Sequence, residues 1–393
     1  MIQIEDKKKC CGCTACKNKC PKNAITMKPD EEGFLYPYVD LDKCIDCGLC
    51  EKVCPIINNP KLPERSIAGY VVQNQNPQVL KESTSGGFVD AVNEWVIKQN
   101  GLACGVVFDE NFMPTHVMIG KIEDLPAFRG SKYAQSKMGS LYAKIEQTLK
   151  RQITVVFTGT PCQAAGLKQY LRKEYENLVI IDIVCRSIPS PLLWNKYLRY
   201  QEKKFSSKIK KVNCRNKTYG YHSGSLVIEF VNGKRYSGSN RVDLYMKSFH
   251  HDICSRPSCY DCRFKTKTRC SDFTVFDCWE PEKVCLEKMT DDNRGYSNVI
   301  VHTGKGMKII EQLDCLVKHD ASIEKMFMFT GRMESHSISK TEVRDQFYNR
   351  LVQEGFESAV ESSVEISLKD RIIEMMKPIR YYKTRRLWSE SDE

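Results

Sequence analysis

Two stretches, Cys10-Cys11-Gly12-Cys13-Thr14-Ala15-Cys16-Lys17-Asn18-Lys19-Cys20-Pro21 and Cys44-Ile45-Asp46-Cys47-Gly48-Leu49-Cys50-Glu51-Lys52-Val53-Cys54-Pro55, decide how the first part of this chain folds. Each holds three cysteines separated by two residues, a fourth after three more, and then proline. At this spacing three thiolates wrap three corners of one [4Fe–4S] cube, and the fourth, a helical turn further on, reaches the other cube. The spacing therefore assigns one cluster to Cys10, Cys13, Cys16 and Cys54, and a second to Cys44, Cys47, Cys50 and Cys20. Gly12 and Gly48 ease the loop turns. Cys11 falls outside the pattern and reads as a neighbour only. Zinc usually takes CxxC pairs set well apart, and a disulfide knot needs an oxidising compartment. Two iron–sulfur clusters are the favoured reading.

Outward from these runs, residues 1–58 form a ferredoxin-like double-cluster module, with short strands predicted over 24–27 and 36–39. Residues 58–63, with two prolines, read as a linker. From 64 to about 335 strand and helix patterns alternate. Strands are expected at 67–73, 101–108, 117–120, 153–158 and 178–185, and helices at 88–99, 141–150, 159–175 and 191–205. Ser85 reads as the N-cap of the first of these helices. Strands at 210–215 and 225–237 suit hairpins, the second turning at Asn232-Gly233. A cysteine-rich segment spans 254–285, and residues 336–393 read as a polar helical tail. The expected fold class is thus α+β and α/β: a bacterial-ferredoxin-like module followed by a mixed α/β domain.

Composition narrows the function. The 393 residues are 41% hydrophobic and 10% aromatic, as in a globular protein. No apolar stretch reaches membrane-spanning length, and residues 1–9 hold no apolar region of the signal-peptide kind. Both lead to the expectation of a cytoplasmic protein with no membrane span. In that compartment twenty cysteines point to metal ligation rather than disulfides. The formal charge of +11 shrinks once anionic clusters are bound. The basic runs at 203–211 and 377–386 lack a nucleic-acid motif or interleaved aromatic platform, so nucleic acid is not an expected partner. The seven histidines show no ligand or triad spacing, and neither a nucleophile–base signature nor a full GxGxxG is present.

Four later stretches carry the remaining chemistry: Thr84-Ser85-Gly86-Gly87, Arg129-Gly130-Ser131-Lys132-Tyr133, Gly159-Thr160-Pro161-Cys162-Gln163, and Cys259-x-x-Cys262-Arg263-Phe264-Lys265 with Arg269 and Ser271-Asp272. Ser85, Gly86 and Gly87 before a helix offer amides to a pyrophosphate, or simply start the helix. Lys132 and Tyr133 suit a flavin ring, or are a solvated lysine beside a core tyrosine. Thr160 sits in a sharp turn, and Gln163 either hydrogen-bonds a ring or caps its helix.

In this succession, behind a double-cluster module, the stretches resemble the coenzyme F420 hydrogenase/dehydrogenase beta-subunit family over residues 7–315. The resemblance implies an FAD-binding domain with a further [4Fe–4S] cluster. It implies transfer of a hydride to or from F420 or another organic acceptor, in some members within polysaccharide metabolism. For that third cluster the family grounds favour Cys162, Cys185, Cys259 and Cys262. Small buried thiols, or zinc shared with Cys254 and Cys270, are the plainer readings. Cys104, Cys214, Cys278, Cys285 and Cys315 read as structural. Expected partners are ferredoxin or another redox protein and a small-molecule hydride acceptor, with oligomers allowed. The other functional class is a non-catalytic electron-transfer subunit of a larger hydrogenase or dehydrogenase complex. Two departures concern the acceptor: Arg186-Ser187 where members often carry His-Gly, and Asp277-Cys278-Trp279-Glu280 in place of Asp-Phe-Trp-Gly.

Overall fold

The computed structural model describes residues 1–329 and 332–380. The N-terminal module pairs β1 (Ile25–Pro29) with β2 (Leu35–Val39) as an antiparallel hairpin. Its cysteine loops end in short helices, Ala15–Lys19 and Leu49–Lys52, each entered through a left-handed residue, Thr14 and Gly48. Gly48 takes φ +69° without strain, which is what that turn needs from the sequence.

The larger part is built on an eight-stranded mixed sheet. Its strands are β3 (Ala68–Asn74), β4 (Leu102–Phe108), β5 (Pro114–Ile119), β6 (Val155–Gly159) and β7 (Leu178–Ile183). A separate three-stranded antiparallel layer follows: β8 (Ile209–Asn216), β9 (Ser225–Phe230) and β10 (Arg235–Gly238). The chain then returns to the large sheet as β11 (Phe273–Cys278), β12 (Tyr296–Val301) and β13 (Leu316–Asp320). The order is β13-β3-β12-β11-β7-β6-β4-β5. The centre, β4-β6-β7-β11, is parallel, and its strands are the near-continuous apolar runs expected when both faces are covered. The C-terminal ends of β6 and β7 therefore lie side by side, which brings Cys162 and Cys185 to one edge.

Three expectations are corrected. The helix Phe88–Lys98 is entered through Gly87 in the left-handed region, with no side-chain cap; Ser85 instead bonds Ser297 on β12. The helix after Gly159 stops at Leu171, where Arg172 turns left-handed. The segment read as a polar tail puts Phe347, Tyr348, Leu351, Phe356, Ala359 and Val360 into the same core as Trp194, Tyr197 and Tyr245. Its part beyond 380 lies outside the described residues. The hairpin turn at Asn232-Gly233 is as expected, with Gly233 at φ +80°.

Two arginines fasten the module to the rest. Arg256 is fully buried. Its Nε donates to the Cys10 carbonyl at 2.7 Å, Nη2 to the Leu35 carbonyl at 3.0 Å and Nη1 to Gln135 Oε1 at 3.2 Å. The guanidinium also lies over Tyr36, 4.2 Å from the ring centre. Arg344 grips both carboxylate oxygens of Glu32 and donates to the Ser255 carbonyl at 3.0 Å.

Two histidines are held neutral inside. His116 takes Ser136 Oγ at 2.9 Å and stacks on Phe157; His302 lies between Thr274 at 2.8 Å and Ser66 at 3.0 Å. Burial pulls both down to about 4. Between pH 6.5 and 4 the unfolded chain therefore binds protons that the folded chain refuses, and stability falls as pH falls. Lowering pH from 7.5 to 5.5 is expected to cost roughly 1 kcal/mol per histidine. The thermal midpoint checks this, with His116→Gln removing its share; equal pH slopes in both proteins would contradict the assignment.

Candidate redox site

The eight cysteines of the two runs lie close together in the N-terminal module. Burial pushes the Cys16 thiol up, and Cys10 and Cys54 push it further. Cys13 has Cys10, Cys11 and Cys16 as neighbours, and Cys54 has Cys10. Cys20, Cys44, Cys47 and Cys50 line a separate small cavity. Cys50 also neighbours Cys16 and Cys54, and all three pack in one cluster with Cys20.

A second convergence lies on the wall of a cavity of about 910 Å³. Cys162 starts the helix after β6, Cys185 follows β7, and Cys259 and Cys262 come from a loop; all four line this cavity. The Cys259 thiol is pushed well up by burial and then by Cys185, Cys262 and Cys162. Burial and Cys162 bring Cys185 up to about 12. Lys265 and Arg269 are the cations nearest these thiols. Such a set resists ionisation until a metal centre supplies positive charge, and the two cations offset what negative charge remains. Cys254 packs in the aromatic core and Cys270 stands beside Asp182 and Lys168, so neither joins the CxxC pair. Among the described residues no three Cys, His, Asp or Glu side chains close on a single ion. A cube spreads four thiolates over four irons.

Cys11 has a place that its position in the run does not reveal. It is half-buried, lines the large cavity together with Cys162, and has Cys13 and Cys162 as neighbours. It therefore sits between the first cysteine group and the cavity group.

The same cavity collects most of the other sequence-predicted residues: Ser85, Gly87, Lys132, Tyr133, Thr160 and Gln163 all line it. Gly86 does not. Its amide donates to Ser297 Oγ at 2.8 Å and is not open to a phosphate. Lys217 holds the same turn from below, donating to the Ser85 carbonyl at 3.0 Å. Gly86 is a packing requirement: a Cβ there would meet the Val72 carbonyl oxygen and stand 2.6 Å from the Ser297 amide nitrogen. Gly86→Ala is expected to cost ~3 kcal/mol, read as a lower urea midpoint; an unchanged midpoint would show that the turn can shift.

Lys132 is engaged with its own loop. Its Nζ donates to the carbonyls of Ala127, Phe128 and Arg129, each at 3.0 Å, and of Gly130 at 3.2 Å. Burial draws it down to about 8. Arg129 ties this loop to the start of the Phe88–Lys98 helix through Asp90 at 2.8 Å and to the end of the preceding helix, Pro77–Glu82, through Glu82 at 2.6 Å. Tyr133 tilts against Phe249. Gln163 is a capping residue: its Oε1 accepts from the Thr160 amide at 2.9 Å, and its Nε2 donates to Ser136 Oγ at 3.0 Å.

Arg215 lines the cavity too, and the sequence reading missed it. It pairs with Asp277 at 2.8 Å and lies 4.6 Å from the Trp279 ring centre. Its Nη2 is buried on the Tyr133 side. One arginine on a strand carries no local signal that would have singled it out. The cavity thus offers an uncapped eleven-residue helix start, a buried guanidinium and a volume in the upper part of the ~300–1,000 Å³ range of cofactor sites. These features fit a large phosphate-bearing cofactor.

Comparison with known proteins agrees with this geometry. Residues 9–56 match the 4Fe-4S dicluster domain, and residues 153–320 match the C-terminal part of the coenzyme F420 hydrogenase/dehydrogenase beta subunit. The chain is 24% identical over 190 residues to a subunit of the F(420)H(2) dehydrogenase of Methanosarcina mazei, covering 45% of this chain and 53% of that one. It is 26% identical over 342 residues to the coenzyme F420-dependent sulfite reductase of Methanocaldococcus jannaschii, covering 82% of this chain and 48% of that one. The chain spans about half the length of these two relatives. A chain of the F420-reducing [NiFe] hydrogenase complex of Methanosarcina barkeri aligns over 77% of this chain and 93% of its own, with 14% identity and a TM-score of 0.44. One matched segment holds the duplicated cysteine runs and the other the four thiols of the cavity wall. This chain therefore carries, over residues 153–320, the C-terminal domain of the coenzyme F420 hydrogenase/dehydrogenase beta subunit, and over residues 9–56 a 4Fe-4S dicluster domain.

Proposed function

We propose that the chain is an iron–sulfur flavoprotein oxidoreductase that exchanges electrons with a ferredoxin-type protein and a hydride with F420 or another organic acceptor. The observation that carries this reading is that Cys11 and Cys162 line one cavity while Cys13 packs against Gly166 of the helix that carries Cys162, which sets the first cysteine group against the cavity wall. In this reading Cys10, Cys13, Cys16 and Cys54 hold one cube, Cys20, Cys44, Cys47 and Cys50 the second, and Cys162, Cys185, Cys259 and Cys262 a third. Cys47 is exposed, so the second group is the side open to a redox partner. FAD bound in the cavity would supply the conversion between single electrons and a hydride, which cubes alone do not perform.

The chain's own residues have separable tasks here. The open helix start at Gly87 and the Arg215 guanidinium bind phosphate. The Arg129 bridges keep the loop bearing Lys132 and Tyr133 against that helix. Lys132, held near 8, supplies a cation at the cavity wall at neutral pH. Lys265 and Arg269 stabilise the reduced side of the adjacent thiol set by their charge.

The test is an anaerobic purification with iron, sulfide and flavin assayed on one sample, followed by titration with reduced F420 and with reduced ferredoxin. About twelve irons and one FAD per chain support the reading. About eight irons without flavin would leave a dicluster module joined to a binding domain and overturn it.

A further inference from the structure

The last described helix, Leu368–Arg380, is amphipathic the wrong way round for a globular protein. Its polar side faces inward. Asp370 meets Lys247 at 3.2 Å and Arg241 at 3.6 Å, Glu374 accepts from the Ser239 amide at 3.1 Å, and Lys377 donates to Ser225 Oγ at 2.6 Å. These contacts fix the rotation of the helix about its axis. Its apolar side faces out: Leu368 is 73% exposed, Ile372 48%, Met375 78%, Met376 55% and Ile379 76%. Positions 368, 372, 375, 376 and 379 form one stripe of helical period, about 17 Å long. Such a continuous exposed row marks an interaction surface.

Charge decides what covers it. The two acids of this helix, Asp370 and Glu374, are both engaged inward, while Lys369 and Arg371 are exposed. The sequence goes on Tyr381-Tyr382-Lys383-Thr384-Arg385-Arg386-Leu387-Trp388, with no acid before Glu390. A second copy packed in parallel on the stripe would bring Lys369 and Arg371 against their own counterparts. A cationic rim around an apolar stripe, continued by basic and aromatic residues, is the composition of a helix lying in a membrane interface. We infer that the Leu368–Arg380 helix docks this protein, lying flat, on a membrane surface rich in anionic phospholipid.

The experiment is co-sedimentation of the full-length, anaerobically purified protein with vesicles. One set contains phosphatidylglycerol mixed with phosphatidylcholine; the other contains phosphatidylcholine alone. Binding to the first set that weakens with salt is expected. Reversing Lys369 and Arg371 to Glu is expected to weaken it by at least tenfold, at roughly fivefold per cation. A variant with Ile372→Glu, Met375→Glu and Ile379→Glu is expected to lose binding while keeping its iron content and circular dichroism, because all three side chains are exposed. Binding retained by this variant, equal binding to both vesicle sets, or none to either would overturn the inference. Light scattering on the same samples covers the alternative: a dimer that the triple variant dissociates, with no vesicle binding, would assign the stripe to a second copy.

Discussion

Replacing both Cys259 and Cys262 by Ala is expected to lower the iron content from about twelve to about eight atoms per chain, leaving the two N-terminal clusters intact. The loop that carries these cysteines supplies half of the cavity quartet, while Cys162 and Cys185 come from the ends of neighbouring parallel strands. Two thiolates do not hold a cube. Both replaced side chains line the cavity, so the change leaves the surrounding core in place and circular dichroism should be unchanged. The electron paramagnetic resonance of the dithionite-reduced protein should lose one set of signals and keep the rest. If iron stays at about twelve, the ligands of the third cluster lie elsewhere. If iron is about eight before the change as well, no third cluster exists.

Arg256→Met is expected to destabilise the protein by ~3–5 kcal/mol and to free the N-terminal module from the sheet domain. Methionine roughly fills the space but makes none of the three hydrogen bonds. It strands the Cys10 and Leu35 carbonyls and Gln135 Oε1 in a buried place. It also removes the cation stacked on Tyr36. Arg256→Lys keeps the charge but offers one nitrogen where three acceptors lie in different directions, so it should recover only a small part. Thermal midpoints measure the loss, and limited proteolysis between residues 57 and 66 measures the release. A midpoint equal to that of the unchanged protein would show that Arg344 and the packed surfaces hold the module unaided.

What could be read in the sequence was what short spacing encodes. Cys10 to Cys20 and Cys44 to Cys54 each form a local geometric unit, and the alternation of strand and helix from residue 68 onward follows from apolar period alone. The site was legible as a set of four stretches but not in its contacts. Cys11 looked superfluous because its neighbour Cys162 arrives from the end of β6. Ser85 looked like a cap because capping is a local preference, whereas its actual partner, Ser297, lies on a strand more than two hundred residues away. Lys132 suited a flavin ring or solvent, and what the sequence did not show is that four carbonyls of its own loop hold its ammonium at the cavity wall. The C-terminal segment read as polar because its buried residues, Phe347, Leu351 and Val360 among them, are spaced among many charges. Only the packing against Trp194 and Tyr245 shows how deeply they sit.

The two arginine clasps also impose an order on assembly. Arg256 lies 246 residues after Cys10, and Arg344 lies 312 residues after Glu32. During synthesis the cysteine runs leave the ribosome well before the residues that lock them down. Until those residues arrive the module is a free-standing unit with its loops accessible, and contacts of such long range close late. Iron and sulfide delivery to the first two clusters thus has an open interval before docking. Once Arg256 closes over the Cys10 loop, a cluster lost to oxygen is replaced only after the clasp reopens. Repair of a damaged centre should then run at the rate of that opening rather than at the rate of cluster delivery.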